Sequence, residues 1–170
     1  MVELLVVIGI ISVLATILLL QLGTARTKAR DTKRVADINQ MRSAIEQYFD
    51  DNGTYPPFNA FDVASFTKFI SPIPVDPLGP STCTIYSGTA TNRCYGYAWG
   101  GAVGAIYTKY QVWAELEAYN RSALTADSDV NAVGGDWTPA GGNGANGAAD
   151  GSTGCTATSN IDCVFDLGIK

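Results

Sequence analysis

Three groups of residues in this chain have types and spacings that could do chemistry. The first is Glu3, a carboxylate at the head of a long apolar run. A carboxylate among aliphatic side chains is costly unless it meets a cation. Glu3 is therefore expected either to pair with a positive group or to sit at a membrane edge reached by water. The second is Asp127-Ser128-Asp129-Val130-Asn131, which has the one-three-five oxygen spacing of a calcium loop. An EF-hand would need Gly at its sixth position and Glu at its twelfth, where this chain has Ala132 and Thr138. A weak calcium candidate on Asp127, Asp129 and Asn131 is left, against a solvated turn. The third is the set Cys83, Cys94, Cys155 and Cys163. No two have C-x-x-C spacing, so zinc and thioredoxin-like readings are weak and two disulfides in an oxidising compartment fit better. Three connectivities are possible; Cys83–Cys94 with Cys155–Cys163, which close short loops, is favoured.

Other chemistries have little support. The chain has no histidine, which excludes His-based triads and His metal sites. Its Ser and Asp residues lack a basic partner arranged for nucleophilic catalysis, and there is no glycine-rich phosphate loop. An enzyme is the least favoured class. The net charge of −5 argues against a nucleic-acid partner. Asn52-Gly53-Thr54 and Asn120-Arg121-Ser122 fit the N-glycosylation pattern, which is common by chance. The aromatics Tyr95, Tyr97, Trp99, Tyr107, Tyr110, Trp113 and Trp137 are read as sheet packing rather than a ligand surface.

The elements that must position these groups are legible in the patterning. Residues 4–22 read LLVVIGIISVLATILLLQL, with only Ser12, Thr16 and Gln21 polar. As helix the run is about 28 Å long, roughly the hydrocarbon thickness of a bilayer. No basic residue precedes it and the helical pattern continues, so the span is expected to be retained. Val35, Ile38, Met41, Ala44, Ile45, Tyr48 and Phe49 then recur at helical spacing. Asp31 with Arg34, Lys33 with Asp37, and Arg42 with Glu46 are spaced to support the same helix. Asn52-Gly53 stops it, and Pro56-Pro57 prevents its resumption.

The expectation is one helix of about fifty residues, on the order of 75 Å long. The roughly 117 residues that follow make a globule with a radius of gyration of about 13 Å, which can cover only the second half of that helix. The first half must be buried in lipid or against other copies of itself. Beyond Pro57, residues 58–70 read as a loop with a helical turn, and residues 73–80 are too proline-rich for a helix or central strand. Residues 94–99 alternate as a strand. Residues 105–117 form the clearest strand, with Tyr110, Val112, Ala114 and Leu116 on one face and Lys109, Gln111, Glu115 and Glu117 on the other. Gly100-Gly101 is the candidate turn between them. Residues 134–154 have loop composition, and residues 163–168 read as a short last strand. The chain divides into residues 1–25 (membrane or filament-core helix), 26–53 (amphipathic helix on the head) and 54–170 (an extracytoplasmic head). The fold class is α+β, a long N-terminal helix packed on a small antiparallel sheet.

The run Glu3-Leu4-Leu5-Val6-Val7-Ile8-Gly9-Ile10-Ile11-Ser12-Val13-Leu14-Ala15 resembles the N-terminal helix of type IV pilins and type II secretion pseudopilins. The likeness is specific over residues 1–25 and extends to about residue 57 through Tyr48-Phe49-Asp50-Asp51-Asn52-Gly53-Thr54-Tyr55-Pro56. It is weaker in the head, through Asp76-Pro77-Leu78-Gly79 and residues 110–117. The resemblance implies a pilin fold, leader cleavage by a prepilin peptidase, extraction by an assembly ATPase, and a helical homopolymer cored by the apolar helices. It also implies that Glu3 pairs with the N-terminal amine of a neighbouring subunit. The family's Glu is the fifth mature residue and here it is the third. Two residues, including a methylated Phe, are therefore expected before Met1. The family's frequent helix-breaking proline is absent, so the helix is expected to stay continuous.

Five basic residues, Arg26, Lys28, Arg30, Lys33 and Arg34, follow the span. They read as a solvated face, an anionic-lipid contact or a partner for the acidic heads of other subunits. Charge alone would leave the head in the cytoplasm; the cysteines and the resemblance place it outside, and that placement is preferred. The leading reading is a filament subunit of a type IV pilus. The alternatives are a secretion pseudopilin and a monomeric membrane-anchored binding module.

Overall fold

A computed structural model describes residues 2–57, 66–79, 94–101, 106–118, 120–128, 130, 137–138 and 164–169. The chain is α+β: a long N-terminal helix and a small antiparallel sheet. Helix α1 runs without a break from Val2–Asn52, 51 residues, about 76 Å at 1.5 Å per residue. It ends where the sequence stops it. Gly53 adopts φ +70°, a left-handed conformation that costs glycine little, and its N–H closes onto Phe49 O at 2.7 Å.

Four strands follow: β1 (Gly96–Gly100), β2 (Lys109–Glu115), β3 (Trp137–Thr138) and β4 (Val164–Ile169), with a single helical turn, α2 (Arg121–Leu124), between β2 and β3. Asn120 caps that turn, its Oδ1 accepting from Ala123 N at 3.4 Å and also from Ser122 Oγ at 2.8 Å. The sheet order is β3-β1-β2-β4, with every neighbouring pair antiparallel. The β1–β2 hairpin puts Gly96 opposite Trp113 and Gly100 opposite Lys109. Gly101, at φ +68°, leaves β1, and Thr108 N–H closes back onto Gly100 O at 3.1 Å; residues 102–105 of the connection, for which the Gly100-Gly101 pair is the candidate turn, lie outside the described residues. β4 closes the other side of β2, pairing Tyr110 with Ile169 and Glu115 with Val164.

The period-two pattern decides which side chains meet the helix. Tyr95, Tyr97 and Trp99 around β1, Tyr110, Val112, Ala114 and Leu116 along β2, and Phe165 and Leu167 of β4 join one core with Ile38, Met41, Ala44 and Ile45 of α1. Phe66 and Ile70, in the turn at 66–70, and Tyr55 complete it. The opposite face of the sheet is covered too. Ala98, Trp113 and Val164 form a second small cluster there, and Trp113 lies against Gly96 so closely that a Cβ at Gly96 would overlap the indole. Gln111, assigned by alternation to this polar face, is fully buried. Its Nε2 donates to Val130 O at 2.8 Å and to Asp166 Oδ2 at 2.9 Å. A buried amide with its hydrogen bonds made is tolerated where an unpaired one is not.

Candidate assembly surface

α1 has two unlike halves. From Asp31 onward its inner face is buried against the head. Every described side chain over residues 2–26 is exposed, and the large apolar ones are more than two-fifths exposed, from Leu22 at 44% to Val2 at 76%. Monomers in water rarely leave a contiguous apolar patch of more than a few hundred Å² uncovered, and patches beyond that size mark interaction sites. A cylinder that is apolar all round apart from Ser12, Thr16 and Gln21, on a helix without a break, is such a surface. By length and composition the segment is able to cross a membrane. Glu3 lies in the first turn, exposed, with Leu4 and Leu5 beside it. The N-terminal end of a helix favours a negative charge, so Glu3 fits the terminus it occupies.

The buried half is fastened by a cluster of charges at its upper end. Arg34 is 2% exposed and is the hub. Its Nε and Nη2 grip the Asp76 carboxylate in a two-point contact, and its Nη1 lies 2.6 Å from Asp31 Oδ1 and 2.7 Å from Glu117 Oε1. Arg30 adds a second fork on Glu117, with Nε to Oε1 at 2.7 Å. Asp31 accepts the backbone N–H of Glu117 at 2.9 Å and of Ala118 at 3.0 Å, so one helical carboxylate holds the chain as it leaves β2. Asp76 also accepts from Leu78 N at 2.8 Å, which shapes its own Asp-Pro-Leu-Gly turn before it meets Arg34. Charge-assisted, two-point bonds of this kind are the strong ones, and three carboxylates against two guanidinium groups leave few donors unmatched.

Farther along, the helix is held through tyrosine hydroxyls. Tyr95 Oη donates to Asp37 Oδ2 at 2.7 Å, and Tyr110 Oη donates to Glu46 Oε1 at 2.6 Å. Tyr97 Oη donates to Pro56 O at 2.8 Å. Of the three helical charge pairs expected, Asp31–Arg34 closes. Asp37 and Glu46 instead turn to tyrosines of the sheet, and neither Lys33 nor Arg42 pairs with them among the described residues. An inward carboxylate beside a buried hydroxyl is already desolvated, whereas a surface ion pair gains little.

These contacts shift titration in a consistent sense. Hydrogen bonds from Arg30, and then from Arg34, hold the Glu117 carboxyl at about 2, below its ordinary 4.5, against the opposing effect of burial. Burial works against the Arg34 charge, but its bonds to Asp76, Glu117 and Asp31 outweigh that and raise its pKa further. Burial, and then Glu46, pushes Tyr55 up to about 12, and burial with Asp37 or Glu46 raises Tyr95 and Tyr110 as well. Glu117 is thus ionised more readily in the folded chain than in the unfolded one. Its contribution to stability is complete above about pH 4.5 and is lost as pH falls towards 2. In detergent-solubilised full-length protein, the melting temperature is expected to drop over that interval, and Glu117→Gln should flatten the drop. An equally steep profile in the Gln variant would show that other carboxylates carry it.

No family model, curated protein or solved structure matches this chain. Cys94 is disulfide-bonded. Cys83, Cys155 and Cys163 lie outside the described residues, as do Asp129 and Asn131 of the weak calcium candidate. Asp127 is half-buried, and among the described residues no group of three or more His, Cys, Asp or Glu could hold a metal ion. The charge cluster was only partly legible beforehand. Asp31 and Arg34 stand out by helical spacing and Asp76 by its turn motif, but nothing local links them to Glu117, 83 residues beyond Arg34.

Proposed function

We propose that this chain is a structural subunit, the major pilin, of an extracellular type IV pilus-like filament that polymerises through α1. The observation that carries the reading is the division of α1. One unbroken helix presents an exposed apolar cylinder over residues 2–22 while its second half is clamped to a folded head. In the precursor, lipid covers the cylinder, with the head outside the membrane. In the filament, the cylinders of sister subunits cover one another and the heads face out. Each aliphatic side chain buried from water is worth about 1.5–3 kcal/mol. The transfer from lipid into a helix bundle gains less, because lipid tails are already apolar and packing must drive it. A continuous helix suits that packing, since no break interrupts its ridges and grooves.

The direct test is electron microscopy and mass spectrometry of material sheared from the surface of cells that express the chain. Filaments built of this chain are the expected result. Recovery of the chain only as membrane-bound monomer would overturn the reading in favour of a membrane-anchored binding module.

A further inference from the structure

Five basic residues follow the apolar span in sequence, but the structure sorts them into two kinds. Arg30 and Arg34 are committed to Glu117, Asp31 and Asp76 within the clamp. Arg26, Lys28 and Lys33 are exposed and make no ion pair among the described residues. Their positions along the helix matter. At 1.5 Å per residue Arg26 lies about 6 Å past Leu22, Lys28 about 9 Å and Lys33 about 16 Å. The headgroup layer of one leaflet is about 5–8 Å deep. With the apolar span in a bilayer, Arg26 falls in that layer and Lys28 at its outer edge, with Lys33 one to two turns behind.

The directions agree with the positions. At about 100° per residue, Arg26 and Lys33 project to one side of the head-facing stripe of Asp31, Arg34, Ile38 and Met41, and Lys28 to the other. The free cations therefore flank the neck on both sides rather than facing the head. Side chains on a helix lean towards its N-terminus, which here is the membrane side, and long Lys and Arg stems reach along that direction. The head itself, from Thr54 onward, has ten acidic and five basic residues, so it has no net attraction of its own for an anionic surface.

We propose that Arg26 and Lys28, supported by Lys33, bind the phosphate headgroups of anionic phospholipids in the leaflet beneath the head. This holds the precursor at a set depth with the clamp just above the surface. The inference rests on the bilayer-inserted precursor of the proposed function. A basic residue close to an anionic surface contributes a factor of about five in affinity, falling off within a Debye length of about 8–10 Å. Arg26 and Lys28 are therefore expected to carry most of the effect.

The test uses the full chain reconstituted in vesicles of phosphatidylcholine doped with spin-labelled phosphatidylglycerol or spin-labelled phosphatidylcholine. The wild type should hold phosphatidylglycerol in its immobilised shell about tenfold or more over phosphatidylcholine at low salt, and the preference should shrink in 1 M salt. In R26Q/K28Q the preference should fall close to unity, while K33Q alone should change it less. Equal retention of the two lipids by the wild type, or an unchanged preference in R26Q/K28Q, would overturn the proposal. So would a double variant that keeps its lipid preference but yields fewer filaments, since the charges would then serve contacts between subunits. A chain that is extracted from the vesicles by alkaline carbonate would overturn the proposed function as well, which separates the two failures.

Discussion

Replacing Glu3 by alanine or valine should leave the chain inserted in the membrane and lower filament yield by about two orders of magnitude or more. The reason is a charge in a dry environment. If the first halves of α1 bundle, Glu3 enters a layer of Leu4, Leu5, Val6 and Val7 from its own and neighbouring helices, where an unpaired charge is not tolerated. The amine of a neighbouring subunit is the partner that the resemblance to pilins implies. Removing one member of a buried pair costs about 3–5 kcal/mol because the other charge is left uncompensated. At about 1.4 kcal/mol per tenfold, that is enough to suppress assembly at each contact. Membrane insertion should be unaffected, because the apolar residues 4–22 are unchanged. Glu3→Gln separates charge from shape and should fail nearly as badly. The measurement is quantitative blotting of sheared and membrane fractions side by side. Wild-type yield from Glu3→Ala would remove the pairing role and leave Glu3 as a wet membrane-edge carboxylate.

The second large effect concerns Arg34. Arg34→Met keeps much of the volume and deletes the guanidinium, so Asp31, Asp76 and Glu117 lose a shared cation at once. The side chain is 2% exposed and Asp31 is equally buried, so water cannot replace the lost bonds without opening the contact. About 3–5 kcal/mol of destabilisation is expected, against the 5–15 kcal/mol typical of a whole domain. In a head of this size the melting temperature should fall by roughly 10–20 °C. Arg34→Lys retains the charge but not the two-point geometry on Asp76, and it should lie in between. The exposed pair Lys68–Asp51, with side chains 70% and 52% exposed, provides the contrast: Lys68→Met should cost no more than about 1 kcal/mol. Thermal unfolding of the detergent-solubilised proteins, followed by circular dichroism, checks all three. A loss below about 1 kcal/mol in Arg34→Met would mean that the clamp merely tolerates its charges.

Both effects depend on α1, yet they were unequally visible in the sequence. Glu3 is conspicuous because nothing around it is polar. The helix is conspicuous because its periodicity is local: Val35, Ile38, Met41, Ala44, Ile45, Tyr48 and Phe49 recur at helical spacing, until Asn52-Gly53 removes the reason to continue. Strand β2 was legible for the same kind of reason, since Tyr110, Val112, Ala114 and Leu116 alternate with polar residues. What those polar residues would face was not legible. Gln111 sits on a surface that Val130 and Asp166 then cover, and both come from distant parts of the chain.

The basic run behind the span shows the division most plainly. By sequence alone, spacing singles out only Arg34, three residues from Asp31, and Lys33, four from Asp37, among its five cations. Only the approach of Asp76 and Glu117 draws Arg30 and Arg34 inward and leaves Arg26, Lys28 and Lys33 for a surface. In the same way Asp37 and Glu46 turn to Tyr95 and Tyr110 rather than to the lysine and arginine four residues away.

The amino-acid sequence by itself determined the length of α1, its end at Gly53, the apolar character of residues 4–22 and the core-facing alternation of β2. Each of these follows from the spacing of neighbours along one backbone, with Gly53 able to take the left-handed conformation that ends the helix. Only the tertiary structure decided the β3-β1-β2-β4 order, the burial of Gln111 and the engagement of Arg34 with Asp76 and Glu117 as well as Asp31. A charged or polar side chain chooses its partner after docking has stripped away its water, and that choice depends on groups brought together from distant parts of the chain.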